Sequence, residues 1–122
     1  MTRKSTGQLG EELAQAALKK KGYRILQTNY RCSYGEIDIV ANYKDCLVFV
    51  EVRTKANLEQ GTPEESISFT KMQHMERTAQ YYLQTLKSQP RDWRIDLIAV
   101  ELDASGKVQR LEQIENALEG FM

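Results

Sequence analysis

The feature that most constrains the fold is a pair of apolar segments that each carry an acid among hydrophobic residues. The first is GEIDIV at residues 35–40, and the second is VFVEVR at residues 48–53. Runs of β-branched and aromatic residues of this length predict β-strands. A carboxylate in such a strand is unfavourable unless a cation or a hydrogen-bond donor compensates it. Asp38 and Glu51, 13 residues apart, therefore predict that two neighbouring strands bring two acids to one site.

The periodicity of the rest of the chain predicts the order α-β-β-β-α-β-β. A first helix is predicted to be capped by Thr6 and to run to about Lys21, where Gly22 ends it. A second helix is predicted over residues 66–87. Strands are predicted over residues 23–30, 36–41, 46–54, 93–102 and 108–114, with a turn at 31–34. The fold class is therefore α/β, with a central mixed sheet flanked by helices.

The bulk properties limit the class of protein without choosing a function. A chain of 122 residues predicts a single domain. Lys+Arg and Asp+Glu are equal at 17 each, which argues against a polycation that coats nucleic acid but allows a local basic patch. The longest strictly apolar run, residues 46–50, is too short to cross a bilayer, and the N-terminus carries no apolar signal core. Cys32 and Cys46 have no metal-ligand spacing, so we expect free thiols in a cytoplasmic protein.

The strand positions of the acids suggest a chemistry. Side chains alternate along a strand, so Glu36 and Asp38 share one face, while Glu51, Arg53 and Lys55 share a face of the next strand. If those faces coincide, acids and cations form one cluster. Carboxylate oxygens suit Mg²⁺ or Mn²⁺, which can activate water and polarise a phosphate while a neighbouring cation stabilises the developing charge. The hypothesis is metal-dependent phosphodiester hydrolysis.

A purely structural interpretation of the same acids stands beside this hypothesis. Asp38 and Glu51 could be the partners of Arg53 and Arg94 in a buried salt-bridge network. Asp96 is a further acid in an apolar strand, and Arg94 lies on the same strand face. The preferred interpretation of these two residues is a structural ion pair, in one version extended to Arg53.

Several short motifs together resemble the YraN-like family. They are Gly10-Glu11, Gly22-Tyr23, Asn29, GEID at 35–38, FVEVR at 49–53, Gly61, Lys71 and Arg94-x-Asp96. That family belongs to the restriction-endonuclease-like, PD-(D/E)XK nuclease superfamily and is similar to archaeal Holliday-junction resolvases. The resemblance covers about residues 6–115. It implies a single restriction-endonuclease-like domain over residues 1–122, a DNA substrate, duplex or branched, and a magnesium-dependent site.

Carried over by position, the resemblance makes Asp38 the first metal-binding acid, Glu51 the second and Glu11 an accessory acid. A helical wheel places Glu11 at the border of the apolar face of the first helix, where it can reach the strands; the alternative is a solvated acid in the first turn. The chain departs from the superfamily pattern at Arg53, because the pattern has lysine at this position. Arginine cannot act as a base. Either Arg53 or Lys55 stabilises the transition state, or the chain is an inactive DNA-binding or partner-binding module.

Basic and aromatic residues supply candidate nucleic-acid contacts. The cations are Arg3, Lys4, Arg24, Arg31, Lys55 and Lys71, of which Arg31 and Lys55 lie close in sequence to the acids. Tyr30 and Tyr34 either stack on unpaired bases or cover the edge of the core. Two-fold symmetry would suit a duplex or branched substrate, so analogy with the resolvase-like relatives is compatible with a homodimer. The same acids would serve DNA or RNA, and His74 is expected to be a surface residue.

Overall fold

The structure, a computed structural model, describes residues 4–121 and contains five strands and two α-helices. The helices are α1 (Thr6–Lys20) and α2 (Phe69–Gln84). The strands are β1 (Arg24–Cys32), β2 (Gly35–Tyr43), β3 (Cys46–Lys55), β4 (Asp92–Leu102) and β5 (Val108–Ile114). Short 3₁₀ turns lie at Glu64–Ser66 and Ala117–Phe121. The predicted order α-β-β-β-α-β-β and the α/β class are confirmed.

The five strands form one mixed sheet in the order β1-β2-β3-β4-β5. Strands β3 and β4 are parallel, and the other neighbours are antiparallel. A parallel pair needs a crossover connection, and α2 lies within the segment that supplies it. Strands β1 and β5 lie at the edges of the sheet.

The sheet separates two hydrophobic cores, because the central strand β3 is apolar on both faces. Leu47 and Phe49 face one core with Met72 and Met75 of α2. Val48 and Val50 face the other core, which holds Ala14 and Leu18 of α1. Alternation along the strand therefore buries β3 between the two helices, as expected for a covered parallel pair.

The N-cap of α1 is Ser5, whereas the sequence predicted Thr6. The Ser5 hydroxyl accepts from the Gln8 backbone N–H at 3.2 Å, and the Gln8 side chain accepts from the Ser5 N–H at 2.9 Å. This reciprocal capping box satisfies two N–H groups that the first turn of a helix leaves unpaired, so the helix starts one residue later than its cap. The helix ends at Lys20, one residue before the predicted end.

The first hairpin is tighter than predicted. Arg31 lies in β1, where it pairs with Glu36 across the ladder, and Cys32 pairs with Gly35. The predicted turn over residues 31–34 is therefore wrong, since only Ser33 and Tyr34 form it. Cross-strand pairing extends the strands to a two-residue loop because both partners find ladder hydrogen bonds there.

Helix α2 is shorter than the predicted span of residues 66–87. Ser68 caps it, with its hydroxyl accepting from the Lys71 N–H at 3.1 Å. Ser66 instead belongs to the preceding 3₁₀ turn. Neither helix in the described residues is long and apolar enough to cross a membrane.

The predicted structural pair of Arg94 and Asp96 is confirmed, but it does not extend to Arg53. Asp96 is fully buried and accepts from Arg94 Nε at 3.0 and 3.2 Å, from Gln113 Nε2 at 2.9 Å and from the Asn116 N–H at 3.1 Å. Arg94 also donates to the Tyr23 hydroxyl at 2.7 Å. This network fixes β4 to β5 and to the segment that follows α1.

Candidate functional site

Three acids from three different elements converge on one groove. Glu11 comes from α1, Asp38 from β2 and Glu51 from β3. Other residues of the groove wall are Ser5, Gly7, Gln8, Asn29, Arg31, Glu36, Val52, Arg53 and Lys71. The structure brings Asp38, Glu51 and Glu11 together in this groove. The charge of Asp38 raises the pKa of both glutamates.

Asp38 lies where β2 and β3 separate. The last regular pair of this ladder on that side is Ile39 with Val50, and Asp38 is the next residue. Beyond that pair, the Asp38 carboxylate, and not a backbone carbonyl of β2, accepts the Val52 backbone N–H, at 2.8 Å. The side chain is therefore held in one place by the backbone of the neighbouring strand, and the separation of the strands opens the groove.

The neighbouring strand β1 is distorted beside Asp38. Asn29 lies between the pairs Thr28–Ile39 and Tyr30–Ile37 and has φ +52°. Asparagine tolerates this left-handed conformation better than most residues, although it still costs free energy within a strand. The distortion places Asn29 on the groove wall.

Glu51 is nearly inaccessible, at 4% exposure. Its Oε2 lies 3.0 Å from Arg53 Nη2 and 3.7 Å from Lys71 Nζ. Burial, and next the Asp38 carboxylate, raise the pKa of Glu51 to about 8, although Lys71 and Arg53 act in the opposite direction. The increase in the pKa that desolvation causes is therefore larger than the decrease that Lys71 and Arg53 cause. Glu51 holds a proton at neutral pH when no further cation is bound.

The pKa of Glu11 is also raised, but by less than the pKa of Glu51. Burial raises its pKa, and the charge of Asp38, a hydrogen bond with Asp38 and the charge of Glu36 add to the effect. A hydrogen bond between two carboxyl groups needs a proton on one of them. The pKa values of both Glu11 and Glu51 are therefore raised, so a divalent cation that binds Glu51 near neutral pH displaces its proton.

We expect the stability of the metal-free protein to fall as pH rises from about 5 to about 8. The folded state holds a proton on Glu51 in this window and the unfolded state does not, since the raised pKa is close to 8. The loss amounts to a few kcal/mol in the free energy of unfolding. Chemical denaturation in the presence of chelator, repeated across this pH range, measures it.

Glu51→Gln should remove this pH dependence, because an amide does not titrate in this pH range. The matched control is Glu12→Gln, on an acid that is exposed and pairs only with Lys4 at 2.8 Å within the described residues. The control should follow the wild-type pH profile. An unchanged profile for Glu51→Gln would contradict the assignment of the shifted proton to Glu51.

Gly10 explains how α1 brings Glu11 over the sheet. A Cβ at position 10 would lie 1.8 Å from Thr54 Oγ1 and 2.9 Å from Thr54 Cβ on β3. Only glycine allows the helix to approach the strand this closely, even though glycine is a poor helix former. The following residue, Glu11, is thereby carried to the groove.

Gly10→Ala is expected to destabilise the fold by about 1–3 kcal/mol, because α1 must move away from β3. Gly7→Ala is the matched control on the same helix. A Cβ at position 7 meets only Ser5 Oγ at 4.0 Å, so this variant should gain about 0.5–1 kcal/mol through helix propensity. Thermal and denaturant unfolding of both variants provides the comparison, and equal effects would contradict the close-approach argument.

The structure separates the predicted cations and aromatics into groups. Arg31, Glu36, Arg53 and Lys71 line the acid groove with the three acids. Lys55 does not, and lines a separate depression with Thr6 and Thr54. Tyr34 lies farther along the surface with Tyr81 and Arg77. Lys4 pairs with Glu12 on the surface, Arg24 opens β1, and Arg3 lies outside the described residues.

The contact of Lys71 with Glu51 was not predicted, because it depends on how α2 packs. A helical wheel of α2 would have placed Lys71 beside the face that meets the sheet, without identifying Glu51 as its partner. Lys71 precedes the buried Met75 by four residues, so the two share a helix face that turns toward the sheet.

Two buried polar atoms in this groove test whether it suits a metal. Among the described residues, Glu51 Oε1 and Arg53 Nε are the buried side-chain atoms without a hydrogen-bond partner. An unpaired carboxylate oxygen beside another carboxylate fits a hard cation such as Mg²⁺ or Mn²⁺. Among residues 4–121, no group of three or more His, Cys, Asp or Glu side chains is arranged so that it could hold a metal ion. Mg²⁺ typically takes one or two carboxylates and completes its shell with water and phosphate oxygens.

The fold and the groove define a small α/β protein with a buried carboxylate cluster at the point where two sheet strands separate. The chain belongs to the uncharacterised protein family UPF0102, the YraN family, whose model matches residues 10–100. The family that the sequence resembled is therefore confirmed.

Relatives of similar length support this membership. A UPF0102 protein from Moorella thermoacetica is 46% identical over 117 residues, which is 96% of this chain and 98% of that protein. A UPF0102 protein from Dehalococcoides mccartyi is 47% identical over 116 residues, covering 95% and 94%. A crystal structure of an fdxN element excision controlling factor protein from Anabaena variabilis is similar with a TM-score of 0.44 and 15% identity, covering 84% of this chain and 97% of that one.

Proposed function

We propose that this protein is a metal-dependent nuclease that hydrolyses DNA phosphodiesters. One observation carries the proposal. Among the described residues, the two buried side-chain atoms without a hydrogen-bond partner are an acceptor, Glu51 Oε1, and a donor, Arg53 Nε, and both residues line the same groove. An acceptor without a partner is satisfied by a cation, and a donor without a partner by an anion. A divalent cation with a bound phosphate satisfies both.

The residues fit the metal that the family resemblance implies. Asp38 and Glu51 would hold Mg²⁺ or Mn²⁺, with Glu11 as an accessory acid and Glu36 at the edge of the groove. When bound, such an ion polarises the phosphate and makes water a stronger nucleophile at neutral pH. The raised pKa of Glu51 means that binding releases a proton from this carboxyl.

The cations of the groove act on the substrate phosphate. Arg53 lines the groove and contacts Glu51 through Nη2 at 3.0 Å, so its remaining guanidinium donors can bind a phosphate oxygen while it still holds the acid. Its permanent charge stabilises the negative charge that develops during hydrolysis. Arg31, which pairs with the exposed Glu36 at 3.2 Å, can contact a neighbouring phosphate.

Lys71 supplies the lysine that the chain lacks at position 53. Its Nζ lies 3.7 Å from Glu51 Oε2, and its side chain is 25% exposed, so it faces both the acid and the groove. An ammonium group there can orient the attacking water or the phosphate. Lys55 is the less suitable candidate, because it lines a different depression.

Substitution of these two lysines gives a matched comparison. Lys71→Ala is expected to reduce the cleavage rate by about 100-fold, which is typical for removal of one electrostatic contact to the transition state. Lys55→Ala should reduce it only slightly. Single-turnover cleavage rates at saturating protein measure both, and a larger loss for Lys55→Ala would reverse the assignment.

A second candidate function is a non-catalytic DNA-binding or partner-binding module on the same fold. Two cations already contact one oxygen of Glu51, and arginine occupies the position of the superfamily lysine. Such a salt-bridged remnant would bind DNA without cutting it.

Cleavage of labelled DNAs by the purified protein tests the proposed function. The panel contains duplex, single-stranded, flap and four-way-junction DNA, each with Mg²⁺, Mn²⁺ or chelator. Metal-dependent cutting of at least one substrate is expected, and RNA versions show whether the sugar matters. Binding with no cutting under either metal would favour the second candidate.

A further inference from the structure

A continuous strip of surface leads from the acid groove along α2 and the β1–β2 turn. Arg31, Glu36 and Lys71 line both the groove and an adjoining depression that also contains His74. One helical turn beyond His74, Arg77 lines a further depression with Tyr34 and Tyr81. We call this strip the track, and define it by Arg31, Tyr34, Lys71, His74, Arg77 and Tyr81.

Helix geometry makes the track continuous. Lys71, His74, Arg77 and Tyr81 follow one another at spacings of three or four residues, so they lie on one face of α2. The face extends about 15 Å from the first to the last of them, at the rise of an α-helix. Glu76, the one acid of α2, lies off this face.

The track is positively charged, although the whole chain has equal numbers of acids and bases at 17 each. Arg31, Lys71 and Arg77 are its cations. Glu36 is the one carboxylate in the walls of the two depressions and pairs with Arg31 at 3.2 Å, so these walls carry three cations against one acid. Within residues 4–121, neither His74 nor Arg77 forms an ion pair, so both are available to a polyanion.

The far end of the track presents two tyrosines to solvent. Tyr34 is 49% exposed and Tyr81 is 42% exposed, and their ring centroids lie 6.1 Å apart at an angle of 58°. Where exposed aromatic rings lie beside cations, the rings stack with nucleic-acid bases and the cations bind the phosphates. Bases of an intact duplex already stack on each other, so such a platform selects unpaired bases.

We infer that the track binds an unpaired DNA strand that continues from the phosphate in the acid groove. The inference rests on the proposed function and narrows its substrate class to DNA with a single-stranded extension beside the cleavage point. The phosphates of the extension would lie along Arg31, Lys71 and Arg77, with a base on the Tyr34–Tyr81 platform.

Binding to matched DNAs in chelator, where no cleavage occurs, tests the inference. One DNA is a blunt duplex, and the other carries a single-stranded extension of about six nucleotides with 2-aminopurine within it. Wild-type protein should bind the extended DNA about 10-fold more tightly and quench the 2-aminopurine by stacking. Tyr34→Ala combined with Tyr81→Ala should remove both effects and leave blunt-duplex binding unchanged.

Two controls separate stacking from folding. Tyr34→Phe combined with Tyr81→Phe keeps the rings and should behave as wild type. Phe69→Ala removes another exposed ring of α2, at 51% exposure, that lies outside the track and should change neither measurement.

Equal binding of the two DNAs by wild-type protein, or equal losses on both DNAs in the double alanine variant, would overturn the inference. If either of these results is found but metal-dependent cleavage persists, the proposed nuclease function is retained and binding of an unpaired strand along the track is contradicted. If the extended DNA is preferred through the tyrosines but no metal supports cutting, the track stands as a single-strand surface and the proposed hydrolysis fails.

Discussion

Asp38→Asn is expected to reduce metal-dependent DNA cleavage by at least about 10³-fold, since it removes a charge that would hold the metal. The fold should survive, because asparagine keeps an oxygen that accepts the Val52 N–H, as Asp38 does at 2.8 Å. DNA binding in chelator should be retained or slightly strengthened, because one negative charge near the phosphate is lost. Single-turnover cleavage with Mg²⁺ and anisotropy with chelator measure the two effects.

Asp45→Asn is the matched control for this substitution. Asp45 is an exposed residue of the β2–β3 turn with φ +64°, a conformation that asparagine tolerates. The control removes the same charge from the same hairpin and should leave the cleavage rate within a factor of about two. Cleavage by Asp38→Asn at the control rate would exclude the acid groove as the catalytic site.

Asp96→Ala is expected to cost about 3–5 kcal/mol of folding free energy, the largest effect on stability that we predict. The substitution leaves the Arg94 side chain, 16% exposed, without its buried partner, and the Gln113 amide and the Asn116 N–H without an acceptor. Typical domains are stable by only 5–15 kcal/mol. The variant should therefore unfold at much lower denaturant concentration, or fail to accumulate as folded protein.

Glu115→Gln provides the comparison for Asp96→Ala. Glu115 is the exposed partner of the same arginine, with its Oε1 3.8 Å from Arg94 Nη2 and its side chain 61% exposed. Exposed ion pairs contribute at most about 1 kcal/mol, so this variant should melt close to wild type. Equal losses of stability in the two variants would contradict the claim that the buried Asp96 network contributes more to folding than the exposed ion pair.

The two metal-binding candidates were predictable from the sequence because each is a single acid in an apolar strand. Strand alternation then placed Glu36 with Asp38, and Arg53 with Glu51. Glu11 followed from the family resemblance and the border of a helical wheel. These are local patterns, and local patterns decide which face a side chain occupies.

The errors of sequence interpretation concern how far an element extends and which neighbour it meets. Lys55 shares a face with Glu51, but four residues along a strand span about 13 Å, which takes Lys55 beyond the groove to a separate depression that it lines with Thr6. Lys71 reaches Glu51 only because α2 crosses that end of the sheet. Such contacts depend on the packing of segments that are distant in sequence.

Turn geometry was similarly difficult to predict. The hairpin between β1 and β2 closes at Ser33 and Tyr34, so Arg31 forms a cross-strand pair with Glu36 where a turn residue was predicted. The separation of β2 from β3 at Asp38 also has no local signature. Both features follow from ladder hydrogen bonds that form only when the whole sheet is assembled.

Proton release on metal binding is the most direct test of the central claim that Asp38 and Glu51 form a divalent-metal site. Mn²⁺ would be titrated into weakly buffered protein without DNA, with free Mn²⁺ followed by its EPR signal and protons by pH. At pH 7 we expect close to one proton per bound ion, because the pKa of Glu51 is about 8 in the metal-free protein. Binding should weaken strongly in Glu51→Gln. Absence of binding, or binding that releases no proton and is unchanged in Glu51→Gln, would contradict the account.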